Sequence, residues 1–282
     1  MIPPQGVTAT IYSLIRRLPR FDAAVTRYQH PANGVYLFFE AGETIETADG
    51  IVDLIVRVGT HRADGRFPGR IPNHARGNRR GSVFRRHVGG ALLSRTTPND
   101  PLLIPWLDPA VRNVPDVEQF VSRTMRDRLS FVAIRVDDAS ERLLLERRLI
   151  ALLAQHPLGA PSSSWLGHHA VNPLIGQPGL WNTQGVSATP LESSNSSRHP
   201  ETTITCPSLT REAYLISSVA QRQSSRPLPI QASSFAIIPK AASLWNASPS
   251  PSAFPTAAIV CDTLRARRSR ARSARRERPR PP

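Results

Sequence analysis

The chain has 282 residues with a formal net charge of +15, and 35 of its 36 basic residues are arginine. Its two cysteines, Cys206 and Cys261, lie near the C-terminal end, which excludes a disulfide framework or a thiolate metal site in the remainder. There is no N-terminal signal pattern and no apolar run long enough to span a bilayer, so the expected compartment is the cytoplasm.

Composition divides the chain near Asn182. Residues 183–282 hold 12 Pro and 18 Ser with no sustained apolar period. Such a segment cannot bury enough surface to offset its chain entropy, so a disordered tail is expected. The same composition also suits an out-of-frame translation product. Charge is uneven too: residues 265–282 carry nine Arg against one Glu, and residues 57–95 carry ten Arg against one Asp. A terminal arginine block adds nonspecific affinity for polyanions and little else.

Along the chain, Ile11, Leu14, Ile15 and Leu18 recur at helical spacing, Pro19 interrupts them, and a second short helical stretch runs through Val25. Residues 1–32 are therefore expected to form a helical lead-in. His30 to Asn33 are turn residues that release the chain into a first strand, Gly34-Val35-Tyr36-Leu37-Phe38-Phe39-Glu40. Residues 41–50 suit an irregular hairpin loop, and Ile55-Val56-Arg57-Val58-Gly59-Thr60-His61 reads as the second strand. A helix is expected from about Gly69, carrying Arg70 and His74, with Pro72 confined to its first turn. Ser82 is placed to cap a helix flanked by Arg79, Arg80, Arg85 and Arg86, and Asp116 to cap another. A third strand follows over residues 129–136. Ser140 then opens a last helix that carries Glu146 in an apolar, arginine-flanked pattern.

The two strands and the helix after them, with Gly34-Val35-Tyr36 and Arg57-Val58-Gly59 as paired motifs and Arg70 and His74 following, resemble the GIY-YIG nuclease superfamily. The resemblance covers residues 33–182. It implies an α/β fold with a small three-stranded antiparallel sheet flanked by helices. It also implies a metal-dependent endonuclease that hydrolyses phosphodiester bonds in DNA. In that pattern Tyr36, Arg70 and His74 are catalytic, Glu146 holds Mg²⁺ or Mn²⁺, and Asn182 supports the site from beyond the glutamate helix. Arg57 stands where the family has its second tyrosine. His61 is a further supporting residue. Arg79, Arg80, Arg85 and Arg86 are expected to contact nucleic acid.

These residue types suit the chemistry. Phosphodiester hydrolysis needs a group that takes a proton from water, positive charge for the developing phosphorane, and a carboxylate to hold the ion. Each type also has an ordinary role: a strand tyrosine packs, an i, i+4 Arg and His pair is commonly solvated, and a helix glutamate pairs with Arg142 or Arg147. His168 and His169 are adjacent and lack a third ligand, which makes them structural. A second reading keeps the fold and the arginine surface but not turnover, leaving a nucleic-acid-binding protein. The absent second tyrosine favours it.

Overall fold

A computed structural model describes residues 4–24, 31–97, 99–190 and 216. The elements, in chain order, are α1 Pro4–Ile15, β1 Arg20–Asp22, β2 Gly34–Thr47, β3 Gly50–Gly59, α2 Phe67–Arg76, α3 Val83–Thr96, α4 Leu103–Leu107, α5 Pro115–Arg128, β4 Leu129–Arg135, α6 Ala139–Gln155, a 3-10 turn Leu166–His169 and α7 Pro173–Gly176. The strands form one antiparallel sheet in the order β1-β4-β2-β3. The α/β class stands, with a fourth strand beyond the three expected. That strand, β1, occupies part of the segment read as a second helical stretch, because Arg20, Phe21 and Asp22 pair with β4. Val25 and residues 191–215 and 217–282, which include most of the expected tail, fall outside the described residues.

β2 is flanked on both sides by strands, and Gly34 to Glu40 are buried without a break. That explains its continuous apolar run: a strand covered on both faces has no polar alternation. The expected irregular loop is instead a continuation of the hairpin. The ladder runs on to Thr47 paired with Gly50, with register breaks at Phe38/Phe39 and Phe39/Thr44. Gly50, at φ 103°, supplies a left-handed conformation next to the turn.

β3 lies at the edge of the sheet, and its outer side is covered rather than open. Trp181 N donates to Val56 O at 2.7 Å. The Asn182 side chain accepts from Val58 N at 3.0 Å and donates to Val58 O at 2.9 Å, taking both bonds that a neighbouring strand would make. Blocking an edge in this way removes its unpaired ladder groups. The chain then stays on the domain past Asn182, where Gln155 Nε2 donates to the carbonyls of Val186 and Ala188.

Capping side chains start some helices and first-turn prolines start others. Ser82 accepts from Arg85 N and caps α3 as expected. Asp138, not Ser140, caps α6 by accepting from Glu141 N. α5 begins at Pro115 with Val114 at its N-cap and Asp116 in the first turn, where a carboxylate favours the positive helix end. α2 begins at Phe67 with Pro68 in its first turn, so Pro72 sits inside the helix. An interior proline removes one helical hydrogen bond, so this helix depends on packing. Its buried face, Phe67, Ile71, His74 and Ala75, supplies that packing.

Both motif glycines mark close approaches. Gly34 lies on the carbonyl of Ile134, and Gly59, the register partner of Tyr36, lies under the phenol ring. A Cβ at 59 would overlap Tyr36 Oη and Cζ. Gly59→Ala is expected to lower stability by about 1–3 kcal/mol, the usual cost of overpacking. Urea unfolding checks this, and an unchanged midpoint would show that the ring has room to move.

Candidate active site

At the end of β3 a cleft of about 840 Å³ opens between α2 and α6. α6 contributes Leu143, Glu146, Arg147 and Ile150, spaced i, i+3, i+4 and i+7 on one helix face. α2 contributes Gly69, Arg70 and Asn73, and the β3-α2 loop contributes Arg62 and Arg66. Arg57 comes from β3 itself, and Asn182 to Gly185 close the last side.

Five arginines line the cleft, Arg57, Arg62, Arg66, Arg70 and Arg147, against the single carboxylate of Glu146. Glu146 Oε1 accepts from Thr60 N at 3.0 Å, and Oε2 has no protein partner among the described residues. The ordinary pairing with Arg142 is not made, and among the described residues Glu146 forms no ion pair. Arg142 is fully buried and instead donates to Asp64 and to the carbonyls of His61, Arg62, Val136 and Asp137, which fixes the β3-α2 loop against α6. Burial raises the Glu146 carboxyl above its ordinary 4.5, opposed by Arg57, the Thr60 N–H, Arg70 and Arg147.

Behind this lining lies a second layer. Tyr36 is fully buried, and its Oη is 2.7 Å from His74 Nε2, while His74 Nδ1 is 2.7 Å from Ser82 Oγ. Tyr36, Phe38, Phe67, His74 and Phe84 pack with ring centroids 5.4 to 5.9 Å apart, tilted or edge-on. Burial first, then Arg57, Arg70 and Arg85, push the His74 imidazole well below 6.5 and hold it neutral. A neutral ring has one acceptor nitrogen.

Arg57 joins the two layers. It lines the cleft, donates from Nη1 to Trp181 O at 2.9 Å, and lies 4.6 Å over the Phe84 ring. His61 is built into the loop: Nε2 accepts from Gly34 N at 3.3 Å, so Nδ1 carries the hydrogen and donates to Ala63 O at 2.7 Å. With Thr60 Oγ1 donating to Gly34 O, it ties the start of β2 to the end of β3. Asn182 closes the strand edge described above. His168 serves structure as well, with Nε2 2.9 Å from Ser162 O.

The expected nucleic-acid contacts need correction. Arg85 is fully buried and donates to Glu118 at 2.7 Å, to His74 O and to Ser122 Oγ. Arg79 is buried too, its guanidinium spent on the carbonyls of Pro105, Asp108 and Val111. Both hold α3 and its approach against α4 and α5, and neither can face a phosphate. Arg80 is exposed and Arg86 half-buried, but neither lines the cleft. Arg62, Arg66 and Arg147 do, and sequence reasoning did not single them out. The only sequence signal for them was the arginine excess after Arg57 and an arginine next to Glu146.

Glu146 Oε2 is the one donor placed for a divalent ion, and among the described residues no group of three His, Cys, Asp or Glu could hold one. This fits Mg²⁺, which keeps most of its waters and commonly binds through one or two carboxylates together with substrate phosphates. The surrounding arginines disfavour a lone cation at this carboxylate.

Burial lowers His61, His74 and His87 below 6.5, His87 to about 4. The unfolded chain takes up these protons near pH 6.5 and the folded chain does not. Stability is therefore present above 6.5 and falls as pH drops from 6.5 toward 4. Denaturant midpoints across that range should decline, less steeply in His87→Gln. Midpoints flat from 7 to 4 would contradict the buried neutral imidazoles.

A family model described as GIY-YIG domain matches residues 9–196. No curated protein and no solved structure matches the chain. No described helix is long and apolar enough to cross a membrane. The match extends over two thirds of the sequence and includes every residue lining the cleft, and on it the chain belongs to the GIY-YIG domain family, with a nuclease-type fold.

Proposed function

We propose that the protein is a metal-dependent endonuclease that hydrolyses phosphodiester bonds of DNA in the cleft between α2 and α6. One observation carries this reading: five arginines surround a single unpaired carboxylate in one cleft of a nuclease-type fold. That balance suits a polyanion that brings a cation with it.

Arg70 binds a nonbridging oxygen of the scissile phosphate, where positive charge helps most as the phosphorane develops. Glu146 Oε2 holds Mg²⁺ or Mn²⁺, which when bound supplies Lewis-acid stabilisation of the phosphoryl oxygens. Tyr36 and His74 handle the proton. The Tyr36 oxygen takes one from water as its own hydrogen passes to His74 Nε2, which the neutral imidazole leaves open. Asn182 and His61 position the strand end and the loop from which the cleft is built.

One specific observation favours a second reading. Tyr36 is fully buried and not part of the cleft lining, and Arg57 lies against it, between the phenol and the arginine-lined cleft to which Arg57 itself belongs. A protein that binds nucleic acid without cutting it would tolerate that arrangement.

Supercoiled plasmid with Mg²⁺ or Mn²⁺, with chelator as control, tests the proposal. Cleavage should be lost in Glu146→Gln with DNA binding retained, and fall roughly hundredfold in Arg70→Ala together with affinity. Tyr36→Phe should slow cleavage by roughly 10²-fold or more. Because the Glu146 carboxyl is raised, cleavage should fall as pH drops through a value above 4.5. Wild-type protein that binds duplex, single-stranded and branched DNA but cuts none of them would establish the binding-module reading.

A further inference from the structure

Arg57 occupies the position of the second motif tyrosine, and its surroundings differ from those of a residue that handles protons. Its backbone is fixed in β3 opposite Phe38. Nη1 is anchored on Trp181 O at 2.9 Å, and the guanidinium plane is laid over Phe84. The group is therefore held in place before any ligand arrives, which lowers the cost of ordering it on binding.

Its hydrogen bonding is incomplete. Nε of Arg57 is buried without a partner, and so is Nε of Arg70, which among the described residues reaches only Gly81 O, at 3.4 Å from Nη1. A guanidinium carries five N–H donors, and with Nε sealed off in both residues it is the terminal N–H groups, on side chains that line the cleft, that an anion would meet. Two such groups line the same cleft, and neither forms an ion pair among the described residues. Arg57 and Arg70 also repel one another, and that repulsion is relieved by an anion between them.

We propose that Arg57 and Arg70 together form a clamp for one phosphate group of a nucleic-acid strand, and that this clamp binds without a divalent metal. Arg57 thereby exchanges the phenol of the family pattern for a fixed cation that touches the substrate. The proposal rests on the nucleic-acid reading of the cleft but not on cleavage.

The test is fluorescence anisotropy of a labelled 12-nucleotide single-stranded DNA with the full chain in chelator, repeated over a range of salt. Each phosphate neutralised contributes about 0.7 to the slope of log affinity against log salt for a single strand. Arg57→Gln keeps a donor for Trp181 O but removes the charge. It should weaken binding roughly tenfold and lower the slope by that one increment, and Arg57→Lys should keep the slope. A folded Arg57→Gln with wild-type affinity and slope would overturn the clamp and leave Arg57 as a strut for the 181–185 segment. If Arg57→Gln does not fold, phenylglyoxal modification of wild-type protein decides, mapped by mass spectrometry. Protection of Arg57 by the 12-mer supports the clamp, and equal reactivity with and without it overturns it. A lowered slope in a protein that never cleaves would sustain the clamp while ending the nuclease reading.

Discussion

The hydrogen bond from the sheet to the helices, Tyr36 Oη to His74 Nε2 at 2.7 Å, is the contact on which the rest of the structure depends. It joins the central strand to α2, and the other imidazole nitrogen continues to Ser82 Oγ, the N-cap of α3. One imidazole thus sets two helices against the sheet. Gly59 lets the phenol lie flat on β3, and the aromatic cluster packs around the pair, so the bond forms in a buried setting where it is strong. Arg70 stands one turn before His74 on the same helix, so whatever fixes His74 also fixes Arg70.

The cleft is electrostatically unbalanced by construction. Several buried or half-buried charges elsewhere are paired: Arg85 with Glu118, Arg142 with Asp64, Arg128 with Glu40. Among the described residues, Glu146 and the arginines that line the cleft with it are left without ion pairs. A set of like charges held together is relieved by a polyanion. The same excess disfavours a free divalent ion at Glu146.

Much of this was legible in the sequence, and the failures have physical causes. The central hairpin, the capping Ser82, the fourth-strand-free part of the sheet and the glutamate helix follow from apolar periodicity and turn residues. β1 was hidden because three residues, Arg20 to Asp22, carry too little pattern to outweigh a helical stretch. The motif residues Arg57, Arg70, Glu146 and Asn182 do meet at one cleft, because order along the chain reflects a local topology. Tyr36 and His74 meet each other one layer deeper. Two of the four arginines expected on nucleic acid, Arg79 and Arg85, turn inward, because a charge run in the sequence does not show which of its side chains find buried acceptors. Arg79 and Arg85 are swallowed by carbonyls and by Glu118, and only tertiary packing supplies those acceptors. Arg62, Arg66 and Arg147 reach the cleft from a loop and from α6, a convergence that spacing alone does not encode.

The central claim is that a phosphodiester sits in the cleft between α2 and α6. A crystal structure of Glu146→Gln with a short DNA duplex or strand addresses it most directly. A phosphate within hydrogen-bond reach of both Arg57 and Arg70, beside residue 146, is the predicted result. A strand seated across Arg80 and Arg86, away from the cleft, would contradict it.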